Sequence, residues 1–289
     1  MQTWKIGDIK ITKIVELEAA MPGGGENSMV QAAFPDAIKQ IDWLKPHWAN
    51  DDGHIVVSIH ALLIESPTTR IIVDTCAGND KSRPGTFFDN LQTPFLEHLA
   101  EAGWTRESVE TVLCTHLHVD HVGWNTMREG GKADGKWIPT FPNARYLMGE
   151  KEYDHWEAEG DDAQAAIMAD SVKPIFDAGL AVLVPMDYDV ADGVRLIPTP
   201  GHTPGHVSVE ITSNGETAVI TGDISHHPCQ LAHPEWSSGF DSDTNMADDT
   251  RKAFFEKYAE SATLVMGTHW ATPTAGKIVR DGKTYRLDV

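Results

Sequence analysis

The sequence predicts an α/β protein built from two β-rich halves with helices outside them. Three observations predict it. Short apolar strand-like runs recur along the whole chain, stretches with helical apolar spacing separate some of them, and candidate metal ligands repeatedly stand just past the end of a strand-like run. The last position is where sites in layered α/β proteins commonly lie.

Residues 4–17 alternate around Ile6, Ile9, Ile11, Ile14 and Leu17, and Gly7-Asp8 between the two runs suggests a hairpin. The stretch 19–53 breaks this pattern. It contains Met21-Pro22-Gly23-Gly24-Gly25, then Phe34-Pro35-Asp36, then a helix-like piece with Trp43, Leu44 and Trp48, and is expected to be a lid or substrate loop. Strands are expected at 55–65 and 70–74, the second ending on Asp74. Helical spacing over 88–102 stops at Gly103 and leads to a strand at 109–114. Residues 127–137 read as a polar, Gly-rich exposed loop. Beyond them come a strand at 144–148, helices at 149–159 and 161–178, and strands at 181–185, 194–198, 206–213 and 217–222. A helix at 247–260, a strand at 263–267 and a hairpin turned by Asp281-Gly282 close the chain. With no linker or repeat, residues 1–289 are expected to form one domain.

Composition narrows the function. A chain of 289 residues, 41% hydrophobic and 23% charged, has ample material for a core. Its formal charge of −20 would repel a phosphate backbone, which argues against nucleic acid as a partner. No apolar run approaches the ~20 residues that span a bilayer, and the start lacks a basic segment followed by an apolar core, so a cytoplasmic protein without a membrane partner is expected. Cys76, Cys114 and Cys229 are odd in number and widely spaced, which fits reduced thiols. Cys114, among apolar neighbours, reads as core.

The densest chemistry lies at His116-Leu117-His118-Val119-Asp120-His121, directly after the run Val112-Leu113-Cys114. Imidazole and carboxylate suit borderline metals, and crowding four of them is costly unless a cation neutralises and orients them. Three later strand-like runs also end in candidate ligands: His202 in Gly201-His202-Thr203-Pro204-Gly205-His206, Asp223 after Gly222, and His269 after Gly267-Thr268. Convergence of these ends would gather seven ligands, too many for one tetrahedral zinc and suited to two metals sharing a bridging carboxylate.

As a set, H-x-H-x-D-H, Gly-His-Thr-Pro-Gly-His, Gly-Asp and a late Gly-Thr-His resemble the metallo-β-lactamase superfold across nearly the whole chain. The resemblance implies an αββα sandwich with a dinuclear site at one edge. It assigns His116, His118 and His202 to one metal, Asp120, His121 and His269 to the other, and Asp223 to the bridge. Zinc is the default, with manganese, iron or cobalt according to supply. Two such ions would supply a bridging hydroxide at neutral pH, and Asp120 would add general acid–base catalysis. Asp74 resembles the family's carboxylate that fixes a ligand histidine's tautomer. His206 is expected to be structural.

Within the family, Asp223 stands where the main zinc β-lactamases carry cysteine, and His118 argues against the flavodiiron branch. Quorum-quenching lactonases often place tyrosine three residues after the bridging Asp, where this chain has His226. Imidazole could donate to a carbonyl oxygen or protonate a leaving alkoxide, so His226 is a candidate catalytic residue. Phe34 and Trp43, with Trp48, in the expected lid, Trp270 beside a candidate ligand and Trp124 just past the histidine cluster suggest an apolar substrate pocket, with Phe34, Trp43 and Trp270 as the candidate substrate-binding residues. The expected substrate is a small, neutral, fairly hydrophobic lactone or ester, with acyl-homoserine-lactone-like compounds first. An aryl-ester or organophosphate hydrolase is the alternative on the same site, and a non-catalytic metal-bearing sensor the alternative of another class. An apolar lid is often completed by a second subunit, which would make a homodimer.

Overall fold

The computed structural model describes residues 1–289, which divide into two compact units. The first comprises Met1–Leu17 and Ile59–Met186, the second Glu18–Ser58 and Asp187–Val289.

The first unit is organised on a sheet ordered β1 (Gln2–Ile6), β2 (Ile9–Met21), β3 (Ile55–Glu65), β4 (Arg70–Val73), β5 (Thr111–Leu113), β8 (Arg145–Gly149) and β9 (Ala181–Val184). The unit boundaries fall inside β2 and β3. Gly7, at a φ of 55°, makes the tight turn between β1 and β2. From β4 onward the neighbours β4–β5, β5–β8 and β8–β9 are parallel. Parallel neighbours need long crossovers, and the helices Phe95–Glu101 and Glu150–Glu159 lie in them. Central strands covered on both faces should be continuously apolar, and Ile71, Ile72, Val73, Val112 and Leu113 are all buried.

Two expectations need correction here. The helix expected from residue 88 begins only at Phe95, because Pro94 disfavours helical backbone at Thr93. Residues before it turn tightly instead, with Asn90 N–H donating to the Lys81 carbonyl oxygen at 2.8 Å. The loop expected at 127–137 pairs its ends as a small hairpin, β6 (Thr126–Arg128) with β7 (Trp137–Pro139).

The second unit carries the sheet β10 (Asp189–Ala191), β11 (Val194–Pro198), β12 (Val207–Ser213), β13 (Glu216–Ile220), β14 (Leu264–Met266), β15 (Ala275–Asp281) and β16 (Thr284–Asp288), in that order. Its one parallel pair, β13–β14, is connected through the helix Thr244–Tyr258. Asp243 caps that helix by accepting the Met246 N–H at 3.0 Å. Ala247, Arg251, Phe254, Phe255 and Tyr258 form its buried stripe at helical spacing.

The stretch 19–53 lies in the second unit and is irregular apart from the end of β2 and two short helical turns, Pro35–Ile38 and Asp42–Leu44. Its first residues finish β2, and Ile38, Ile41, Leu44 and Trp48 are buried in the hydrophobic core with Trp270, Val265 and Phe255. The Trp48 indole N–H donates to the Ala271 carbonyl oxygen at 3.0 Å. Of the aromatics expected in a lid, Trp48 is thus a core residue, whereas Trp43 is half-buried and Phe34 exposed.

Candidate metal centre

In the first unit, β4 and β5 run parallel with Val73 opposite Leu113, so the residues that follow each strand emerge side by side. Asp74 follows β4, and the loop with His116, His118, Asp120 and His121 follows β5. The Asp74 carboxylate is buried and accepts from the Thr115 N–H at 2.8 Å, the Thr115 hydroxyl at 2.9 Å and His121 Nδ1 at 2.9 Å. Three donors on one buried carboxylate offset its desolvation.

These partners determine the imidazole tautomers. His121 must carry its proton on Nδ1 to donate to Asp74, which leaves a lone pair on Nε2, 3.7 Å from Asp120 Oδ1. Thr115 gives its only hydroxyl hydrogen to Asp74, so toward His116 Nδ1, 3.1 Å away, it can only accept. His116 therefore also turns an Nε2 lone pair inward, 3.1 Å from His118 Nδ1. A proton on His118 Nδ1 or a single cation would satisfy both facing nitrogens. The loop is held from behind as well: Glu152 accepts the Leu117 N–H, Gln164 donates to the Leu117 carbonyl oxygen, and the Trp156 ring lies 5.4 Å from that of His118.

Further along, Gly123 approaches Ala77 so closely that an added Cβ would stand 1.9 Å from its carbonyl oxygen. Buried Glu16 ties this junction together, accepting from the Ala77 and Gly78 amides and the Trp124 indole at 2.7, 3.2 and 2.6 Å. Trp124 is thereby a packing residue, stacked 5.2 Å from Phe95. Cys114 is buried, and that burial pushes its thiol well above the ordinary range, consistent with a core side chain.

In the second unit, β11, β13 and β14 share one direction, and His202, Asp223 and His269 all follow their C-terminal ends. His202 Nδ1 donates to Asp241 Oδ1 at 2.9 Å, and the other Asp241 oxygen accepts the Ser238 N–H at 2.9 Å. Burial pushes the Asp241 carboxyl up from its usual range. His269 Nδ1 donates to the Ser58 carbonyl oxygen at 3.1 Å. Both histidines thus also turn Nε2 lone pairs inward, at 3.6 Å (His202) and 3.1 Å (His269) from Asp223 Oδ2.

His206 does the opposite. Its Nε2 accepts the Asp223 N–H at 2.8 Å and its Nδ1 donates to the Thr199 carbonyl oxygen at 2.9 Å, so it positions the Asp223 backbone. Gly222 lies against it at a φ of 57°, where an added Cβ would stand 2.5 Å from His206 Nε2. His226 is 1% exposed, with Nε2 3.3 Å from Asp223 Oδ2. Next to it, His227 donates from Nε2 to the Trp48 carbonyl oxygen at 2.8 Å and accepts the Cys229 N–H on Nδ1.

The aromatic candidates separate. Trp270 is completely buried in the core of the second unit, Trp43 packs half-buried against that core, and Phe34 is 56% exposed. Sequence reasoning missed Asp241, Thr115, Ser58 and Glu16. Thr115 alone had a signal, a hydroxyl directly before the first histidine. Each unit presents imidazoles oriented by buried oxygens together with a carboxylate, a donor set that suits zinc and similar divalent metals.

The chain belongs to the metallo-β-lactamase superfamily, whose family model matches residues 54–269. It is a metal-dependent hydrolase with the metallo-β-lactamase fold, as the motif set implied. It is similar to an N-acyl homoserine lactonase of Bacillus sp., with 26% identity over 202 residues that cover 65% of this chain and 72% of the relative. Among solved structures it resembles the hydrolase AbOPH of the beta-lactamase superfamily, with a TM-score of 0.79, 27% identity and coverage of 99% and 95% of the two chains. It shares its fold with AidC, a dizinc quorum-quenching lactonase solved with the product N-hexanoyl-L-homoserine, at a TM-score of 0.78, 19% identity and coverage of 99% and 96%. No helix is long and apolar enough to cross a membrane.

Proposed function

We propose that this hydrolase opens lactones of the N-acyl homoserine type, and that residues 1–289 act as one domain whose two ligand sets serve two divalent ions, zinc by default. The observation that carries the metal reading is the common orientation of His116, His121, His202 and His269: each directs Nδ1 to an oxygen of its own unit and keeps an Nε2 lone pair. The lactone reading rests on the similarity to the Bacillus lactonase.

In this proposal His116, His118, Asp120 and His121 of the first unit and His202, Asp223 and His269 of the second would hold the ions. The ions, when bound, supply hydroxide at neutral pH and polarise a carbonyl oxygen. The chain's own contribution is geometric and protonic. Asp74, Thr115, Asp241 and Ser58 maintain the Nδ1–H tautomers. A carboxylate oxygen of Asp120 takes the proton of the attacking water and returns it to the ring oxygen that leaves as an alkoxide, so the lactone becomes a hydroxy acid. Phe34, the exposed member of the aromatic set, offers an apolar contact for an acyl chain.

One observation favours a second reading, hydrolysis of aryl esters or phosphotriesters: His226 occupies the position where lactonases of this family often carry tyrosine. A panel of long-chain homoserine lactones, aryl esters and phosphotriesters, with and without chelator, tests both. We expect lactone turnover that chelation abolishes and added zinc restores. Preference for aryl esters or phosphotriesters would establish the second reading, and no turnover by metal-loaded protein would indicate a binding protein.

A further inference from the structure

We propose that His226 is itself a metal ligand, sharing a cation with His202 and Asp223 rather than serving as a donor to the substrate. This rests on the metal reading above and adds a ligand to it.

His226 is 1% exposed, and neither ring nitrogen has a hydrogen-bond partner. Leaving a buried polar group unsatisfied costs about 1–3 kcal/mol, so such a group in a well-packed site signals a missing partner. The backbone that carries it is also firmly placed. Gln230 Oε1 accepts the His226 N–H at 2.8 Å, and Gln230 Nε2 is anchored on the Trp236 carbonyl oxygen at 2.7 Å. The imidazole lies edge-on to His202 at 4.8 Å and parallel to His269 at 5.8 Å.

Those neighbours identify the missing partner. A substrate hydroxyl or carbonyl would satisfy His226 alone, whereas His202 and Asp223 beside it also present electron pairs. The ligand atoms of His202, Asp223 and His226 all lie within 4.8 Å of one another. Zinc binds nitrogen and oxygen ligands at about 2.0–2.2 Å, so neighbouring ligand atoms of a tetrahedral site stand about 3.3 Å apart. His226 Nε2 stands 3.3 Å and His202 Nε2 3.6 Å from Asp223 Oδ2. These are the spacings of ligands around one ion. With its Nε2 lone pair on the cation, His226 has no Nε2–H to steady a substrate oxygen.

The test uses the full chain reconstituted with cobalt(II), in wild type, His226→Ala and His226→Cys. A thiolate at this position enters the coordination sphere only if residue 226 is a ligand, and it then adds a sulfur-to-cobalt charge-transfer band in the near ultraviolet. We expect that band in His226→Cys, and a loss of at least about 10-fold in metal affinity by chelator competition in His226→Ala. Cobalt-loaded His226→Cys without the band, or His226→Ala holding cobalt as tightly as wild type, would overturn the proposal even if lactone turnover fell. Thermal melts of the metal-free variants separate misfolding from ligand loss. A wild-type chain that takes up no cobalt would overturn the metal reading and this proposal together, whereas normal uptake with no effect of residue 226 would overturn this proposal alone.

Discussion

The two units present their candidate ligands in different ways. The first unit concentrates His116, His118, Asp120 and His121 on one loop after β5, and one carboxylate, Asp74, braces both Thr115 and His121. The second unit collects His202, Asp223 and His269 from three strand ends, each with a brace of its own: Asp241, His206 and Ser58. A clustered set is compact but depends on a single point, whereas a dispersed set distributes that dependence over the sheet. Damage to a brace should therefore spread in the first unit and stay local in the second.

The largest effect is expected for Asp120→Asn. It keeps the side chain's shape while removing the proton acceptor, and kcat/KM for lactone should fall by about 10²–10⁴-fold. Steady-state kinetics on metal-loaded protein checks this, and unchanged turnover would remove Asp120 from the proton path.

Next come the two brace carboxylates, which measure the contrast directly. Asp74→Ala strands the Thr115 N–H and hydroxyl and the His121 Nδ1–H, so the metal-free protein should lose about 3 kcal/mol or more in denaturant melts. Asp241→Ala strands His202 Nδ1 and the Ser238 N–H. Its main effect should be a loss of about 10–100-fold in metal affinity, with a smaller loss of stability. Equal losses from the two variants would erase the difference between the units.

The smallest effect concerns the cation that each unit buries. In the first unit Lys81 donates to the Thr126 hydroxyl and the Asp170 carbonyl oxygen and lies 3.8 Å from the Trp137 ring centre. Burial lowers its pKa to about 7 from an ordinary 10.5. In the second unit Arg251, donating to the Pro234 and Ile224 carbonyl oxygens, has a guanidinium that stays charged. Above about pH 7 the folded first unit releases a proton that the unfolded chain keeps until about pH 10.5, so the stability due to Lys81 rises with pH across that window. Urea melts at pH 7 and pH 9 should show this rise in wild type and a flatter profile in Lys81→Met. An equal rise in both would assign it to other groups.

Much of the candidate site was legible because its candidate ligands follow strand ends in short motifs, and backbone direction carries such residues to one edge of a sheet. Asp74 was legible for the same reason, since a residue ending one parallel strand emerges beside the loop of the next. Asp241 was not. It lies in an irregular segment with no periodicity, and only tertiary folding sets it 2.9 Å from His202. Trp270 shows the converse failure, because adjacency to His269 in sequence says nothing about orientation and its ring is in the core. The burial of Trp48 was not legible for the same reason, as it depends on partners such as Ala271 that are remote in sequence. In 88–102 the apolar spacing was genuine, but Pro94 set where a helix could begin.

Both ligand sets come together in one quantity, the number of metal ions the whole chain needs for activity. Metal-free protein titrated with zinc, with bound metal and lactone hydrolysis followed on the same sample, measures it. Full activity is predicted only at two zinc ions per chain; full activity at one ion, or without any, would contradict the two-ion reading.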